Sequence, residues 1–88
     1  MLKRAIIILR NFERVIKLMK QIKISTEFVT LGQFLKLANL IQTGGEAKFY
    51  LKENKVIVNG EEDNRRGRKL YSGNIVEVEN QTFEIVKK

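Results

Sequence analysis

The chain has 88 residues with no cysteine and no histidine, which excludes disulfides, thiolate metal sites and thiol nucleophiles and removes the commonest general base and metal ligand. A hydrophobic fraction of 43% with only 8% aromatics suits one small α+β domain with a modest core and no room for a second. The net charge of +7 is unevenly held: residues 1–20 carry six cations against one carboxylate, and the remaining 68 carry 11 cations against 9 carboxylates. The high charge therefore belongs mostly to an N-terminal arm, and in the body of the chain charge is segregated rather than in excess. Glu61-Glu62-Asp63 precedes an arginine cluster, and Glu77, Glu79 and Glu84 lie near the C-terminus. A basic face and an acidic face are expected. Nothing marks secretion, and a reducing cytoplasm is the expected compartment.

Two regions are expected: a basic amphipathic arm over residues 1–20 and a domain over residues 21–88. In the arm, Ile8, Phe12, Val15, Ile16 and Met19 recur at helical spacing with Arg10, Arg14 and Lys17 between them, which predicts an extra N-terminal amphipathic helix. Such a helix could pack on the domain or a neighbour, contact RNA, or lie on a membrane surface. Ala5 to Leu9 is too short to span a membrane.

Ile22 to Ile24 alternates as a short strand. Thr30, with Gln33 three residues on, reads as a capping box that opens a helix with Leu31, Phe34, Leu35, Ala38 and Ile41 on its buried stripe. Thr43 and Glu46 read as a second capping box around Gly44-Gly45. The helix that follows should bury Ala47, Tyr50 and Leu51, expose Lys48, Phe49 and Lys52, and end near Asn54 in a left-handed cap. Lys55 to Val58 alternates as a strand closed by Asn59-Gly60, a strong hairpin-turn signal. Ser72-Gly73-Asn74 leads into strands at 75–79 and 82–86, joined through Asn80-Gln81, with Val76, Val78, Phe83 and Ile85 pointing inward.

The binding chemistry lies in three places. Gly44-Gly45 opens a helix, so its backbone amides could approach a phosphate, or the glycines could simply permit a tight turn. Lys48 and Lys52 share one helix face one turn apart, and Lys55 extends that line; Phe49 beside them could stack on an unpaired base. Arg65-Arg66-Gly67-Arg68-Lys69 places four cations in five positions, and arginine offers phosphate a planar fork of donors. The alternative is a loop neutralised by Glu61, Glu62 and Asp63, with some of the arginines paired intramolecularly. No histidine, cysteine or phosphate-binding loop converts the carboxylates into a catalytic set, and contiguous Glu61-Glu62-Asp63 is a poor metal site. No enzyme activity, cofactor, metal or small-molecule substrate is expected. A surface that holds an anionic polymer is, and RNA is the first choice.

The order helix, glycine corner, helix, Val56-Ile57-Val58-Asn59-Gly60 and Gly73-Asn74-Ile75-Val76 resembles the RNA-binding domain named for ribosomal small-subunit protein four. Thr30 to Ala38 together with Asn64 to Leu70 resembles the stand-alone members of the YaaA/YbcJ type. The resemblance covers about residues 22 to 86. It implies an αL-type motif, two short helices leading into a small twisted, mainly antiparallel sheet, that binds structured RNA, ribosomal above all, with a role in ribosome assembly. Many members open the first helix with Arg-Leu-Asp, where this chain has Thr30-Leu31-Gly32, and many carry an arginine where Gly44 stands. The resemblance therefore implies that contact is carried by Lys48, Lys52 and the Arg65 to Lys69 cluster. Two rivals stand beside it: a helix-turn-helix DNA binder built from residues 30–53, and a protein- or membrane-interaction module working through the arm.

Met19 precedes the natural first strand, and translation from Met19 is expected in the cell. Intact-mass measurement of the native protein checks this; a species that carries residues 1–18 overturns it.

Overall fold

The computed structural model describes residues 19–88, so the helix expected at the N-terminus falls, for residues 1–18, outside the described residues. Its last two positions do not join a helix: Met19 and Lys20 open strand β1 (Met19–Ile24). Strand β2 (Phe28–Thr30) leads directly into helix α1 (Leu31–Leu37). A 3-10 turn, Gly44–Glu46, precedes helix α2 (Ala47–Glu53). Strands β3 (Val56–Val58), β4 (Glu61–Glu62), β5 (Lys69–Tyr71), β6 (Ile75–Val78) and β7 (Gln81–Lys87) complete the fold. The architecture is α+β, as expected.

Five strands form one sheet in the order β1-β7-β6-β3-β4, and β2 pairs with β5 in a separate antiparallel ribbon. The sheet is mixed. β1 runs parallel to β7 from Met19↔Thr82 to Ile24↔Lys87, and every other neighbouring pair is antiparallel. Two hairpins are closed by two-residue turns whose central residues have positive φ: Asn59 and Gly60 at 52° and 86°, Glu79 and Asn80 at 51° and 60°. Mirror-type turns of this kind match the twist of the flanking strands. The second hairpin therefore turns at Glu79-Asn80, one residue earlier than the sequence suggests, and Gln81 joins β7 opposite Val78.

Helix α1 begins as the capping box requires. The Thr30 hydroxyl accepts from Gln33 N–H at 3.2 Å, and Gln33 Oε1 accepts from Thr30 N–H at 2.9 Å. It ends on Asn39, which takes φ 59°, with Leu40 N–H donating to Leu35 C=O at 3.0 Å and Asn39 N–H to Lys36 C=O at 3.0 Å. This is the paired-bond helix end that a left-handed residue permits. Two expectations are corrected here. Asn54 ends α2 in extended conformation, φ −123°, so the left-handed cap belongs to Asn39. The second capping box does not form: Glu46 reaches back to Gln42 N–H at 3.4 Å and the Thr43 hydroxyl at 3.3 Å, and Thr43 makes no side-chain cap. The glycines allow the backbone to tighten into a 3-10 turn, which moves Glu46 off the geometry that the box needs.

The core lies between the helices and one face of the sheet. Leu31, Phe34, Leu35, Ala47 and Leu51 come from the helical side, and Val56, Val58, Val76, Val78, Phe83 and Ile85 from the strands. All four inward positions expected on the last two strands are buried. Leu70 brings the β2–β5 ribbon into the same core. Phe34 and Phe83 meet edge to face, centroids 5.2 Å apart, and tie α1 to the middle of the sheet. Because strand side chains alternate, Glu62, Glu77 and Glu84 stand on the opposite face, with Ile57 and Ile75 as their cross-strand partners.

Phe83→Ala removes the aromatic contact and leaves a cavity at the centre of this core, at a cost of about 3–5 kcal/mol. In a domain this small that loss takes most of the stability. Urea denaturation should show the midpoint lowered by a large part of the parent's value, and a midpoint close to the parent's would contradict the packing described.

Candidate nucleic-acid interface

The basic segment is built outward from Asp63. Asp63 N–H donates to Val56 C=O at 3.0 Å, which extends the β3–β4 pairing by one residue and turns the Asp63 side chain inward. Only 9% of Asp63 is exposed, and no other charged residue among those described is buried. Its carboxylate accepts four bonds: Arg65 N–H at 2.9 Å, Arg65 Nε at 3.1 Å, Arg65 Nη2 at 2.8 Å and Arg68 Nη1 at 3.0 Å. The side-chain bonds from Arg65 are the main reason that the Asp63 carboxyl is held well below the usual carboxylate range, against the upward push of burial. Arg68 N–H closes the turn on Arg65 C=O at 3.1 Å.

The same segment is fastened to helix α1. The first amides of a helix have no partner within it, and here two are met by the loop: Leu31 N–H donates to Arg68 C=O at 2.7 Å and Gly32 N–H to Arg66 C=O at 2.9 Å. Gly32 is buried, and a Cβ on it would meet Arg66 Cγ at 3.0 Å and Arg66 O at 3.4 Å. Lacking one, it lets the loop sit directly on the helix start.

This seating gathers part of the expected set. Arg66, Lys48 and Lys52 line one hollow with Asn64 and Leu51. Arg65, Arg68 and Lys69 line an adjoining one with Asn59, Gly67, Tyr71 and Asn74. Arg65 is paired but open, its side chain 69% exposed, so part of its guanidinium can still meet an outside anion; Arg68 is more enclosed at 30%. Lys69 lies on β5 with its Nζ 4.8 Å from the centroid of the Phe28 ring. Lys55 stands apart. It is 3.9 Å from Glu62 and lines a different hollow with Glu53, Glu77 and Glu79. Gly44 and Gly45 are exposed on the 3-10 turn and line neither basic hollow; nothing approaches within 4 Å of a Cβ built on Gly44.

Sequence reasoning named Asp63 only within the Glu61-Glu62-Asp63 run of its alternative, whose pairing with arginines the structure bears out at Asp63, and it gave no structural role to Gly32 or Tyr71. Asp63 carried a usable signal, since aspartate two residues before an N–H is a common side-chain turn and Arg65 supplies that N–H. The roles of Gly32 and Tyr71 depend on the β2–β5 pairing, which no local pattern announces.

Two short helices seated over a small sheet, with a clamped arginine loop at the start of the first, form a small α+β domain with one basic face. A family model described as S4 domain matches residues 22–86, and the chain belongs to that family of RNA-binding domains. It is similar to the probable ribosome maturation protein RlbA of Bacillus subtilis (strain 168), 61% identical over 66 residues, which is 74% of this chain and 93% of that protein. Among the described residues no helix is long and apolar enough to cross a membrane.

The clamp has a pH signature. A carboxyl whose folded pKa is lowered contributes stability that is complete above the unfolded value, 3.8, and is lost as pH falls toward the folded one. Asp63→Asn should cost about 1–2 kcal/mol at neutral pH, since most of its donors sit on an exposed arginine. The variant should also lose less stability than the parent between pH 5 and about 2. Parallel acid slopes in thermal melts would rule out the clamp.

Proposed function

We propose that this chain is a non-catalytic RNA-binding module that recognises folded ribosomal RNA through its helix-and-loop face and serves ribosome maturation in the cytoplasm. The observation that carries the reading is the convergence of Lys48, Lys52 and Arg66, distant in sequence, on one hollow beside the Asp63-clamped Arg65 and Arg68. Lysine and arginine at this spacing follow phosphates, which position a protein without reading sequence, so recognition follows RNA shape. Lys69 extends the face. The exposed Gly44-Gly45 turn leaves room for the RNA backbone to approach closely. Lys55, engaged near Glu62 and bordered by other carboxylates, is left out of the contact set. The matched relative, named for ribosome maturation, supports the ribosomal assignment.

A DNA-reading helix-turn-helix is less well supported. Helix α2 has seven residues, and the turn that opens it holds the acidic Glu46. Competition between duplex DNA and hairpin RNA for the protein separates the two readings.

The double variant Lys52→Gln/Arg66→Gln tests the face. Binding of the full chain to ribosomal RNA fragments, measured over a series of salt concentrations, should weaken in the variant. The slope of log affinity against log salt should flatten by about 0.7 to 0.9 for each phosphate that the variant no longer neutralises. An unchanged slope removes these two residues from the interface.

A further inference from the structure

We propose that the hollow bordered by Tyr71, Arg65, Arg68 and Lys69 takes one unpaired nucleotide of the bound RNA. The proposal rests on the RNA-binding reading above and narrows its ligand class to folded RNA with an extruded base, as against unbroken duplex.

Tyr71 is the reason. It is 43% exposed, although its strand neighbour Leu70 is fully buried in the core. Alternation along β5 puts Lys69 and Tyr71 together on the outer side of the ribbon, and Phe28 is the direct cross-strand partner of Tyr71. The two rings are 5.8 Å apart and tilted by 48°, so Phe28 backs one side of Tyr71 while the ring keeps an accessible surface. An exposed tyrosine on a strand is ordinary by itself. This one borders a concavity whose other walls are cationic, and an aromatic face with phosphate-binding groups beside it is what an unstacked nucleotide uses.

The polar groups of the hollow agree. Asn59 Oδ1 accepts from Ile75 N–H and Asn74 Oδ1 from Tyr71 N–H, each at 2.9 Å. Each carboxamide is thereby fixed in one orientation with its Nδ2 donor left over, and both residues line the hollow. Donors of this kind fit the acceptor atoms on the edge of a base. Arg65 spends Nε and Nη2 on Asp63, so its remaining guanidinium nitrogen can meet a flanking phosphate. At Gly67 nothing stands within 4 Å of where a Cβ would be, which leaves the rim open. A paired base cannot exploit the hollow, because its faces are covered by its neighbours in the stack and the major groove of an RNA duplex is too deep and narrow for side chains to read.

The test uses two RNA hairpins with the same stem and loop, one interrupted by a single bulged nucleotide, and the full-length protein as parent, Tyr71→Phe and Tyr71→Leu. Affinities are measured by fluorescence anisotropy at one salt concentration. The parent and Tyr71→Phe should prefer the bulged hairpin by about tenfold. Tyr71→Leu should lose that preference while its affinity for the unbroken hairpin stays within about twofold of the parent, which also reports that the variant is folded. A preference retained by Tyr71→Leu, or absent from a parent that binds both hairpins, overturns the nucleotide site and leaves the RNA-binding reading standing. A parent that binds neither hairpin overturns both.

Discussion

The basic loop depends on one buried carboxylate. Arg65, Arg66, Arg68 and Lys69 would repel one another on an unrestrained loop, and their side chains would sample separate directions in water. Asp63 is placed under them by a backbone bond to β3 and accepts from two of the three arginines. It cancels one charge of four and fixes the directions of the guanidinium groups that it holds. The ordering cost that a free arginine would meet on binding is thus met in part during folding. A carboxylate inside a cationic site can look like an obstacle to anion binding. Here it is what makes the cations a surface.

Folding and the proposed binding surface are tied through the start of helix α1. A helix of seven residues is not stable alone and depends on its ends and its buried face. Its N-terminal end is completed partly by Thr30 and Gln33 and partly by the carbonyls of Arg66 and Arg68. The loop that carries the cations is therefore also a cap for the helix on which it sits. Gly32 makes the approach possible, since any side chain there would push against Arg66. At this point the chain has a close backbone contact. The consequence is that Arg66 stands beside Lys48 and Lys52, which face it from α2.

What could be read in advance follows the range of the forces involved. The capping box at Thr30, the Asn59-Gly60 turn and the inward set Val76, Val78, Phe83 and Ile85 are set by residues within a few positions of one another, and each was legible. The ribbon between Phe28–Thr30 and Lys69–Tyr71 joins segments some forty residues apart, three residues to a side, too short for periodicity to show. Charge composition misled at Glu61-Glu62-Asp63. Taken as one acidic run it would offset the arginines evenly, yet the two glutamates form an exposed edge strand and only the aspartate turns in. At Thr43 and Glu46 the motif was present and the geometry was not, because two glycines let the chain tighten between them. The cations were thus legible as a group, and their arrangement was not.

That arrangement matters more than the total charge. Outside residues 1–20 the chain carries only two cations more than carboxylates, too small an excess to hold RNA by attraction at a distance alone. Separation supplies what excess does not. The helix start, the Asp63 loop and α2 collect Lys48, Lys52, Arg65, Arg66 and Arg68, while Glu62, Glu77 and Glu84 stand on the face of the sheet turned away from the core. On the proposed reading, a polyanion meets mainly cations on the loop face and a mixed, carboxylate-rich surface on the sheet face, which favours approach by the loop. Phosphates would satisfy such a loop whatever the RNA sequence. On that reading discrimination comes from the shape of what the face can accept, and the concavities that the arginine loop lines are where shape is presented.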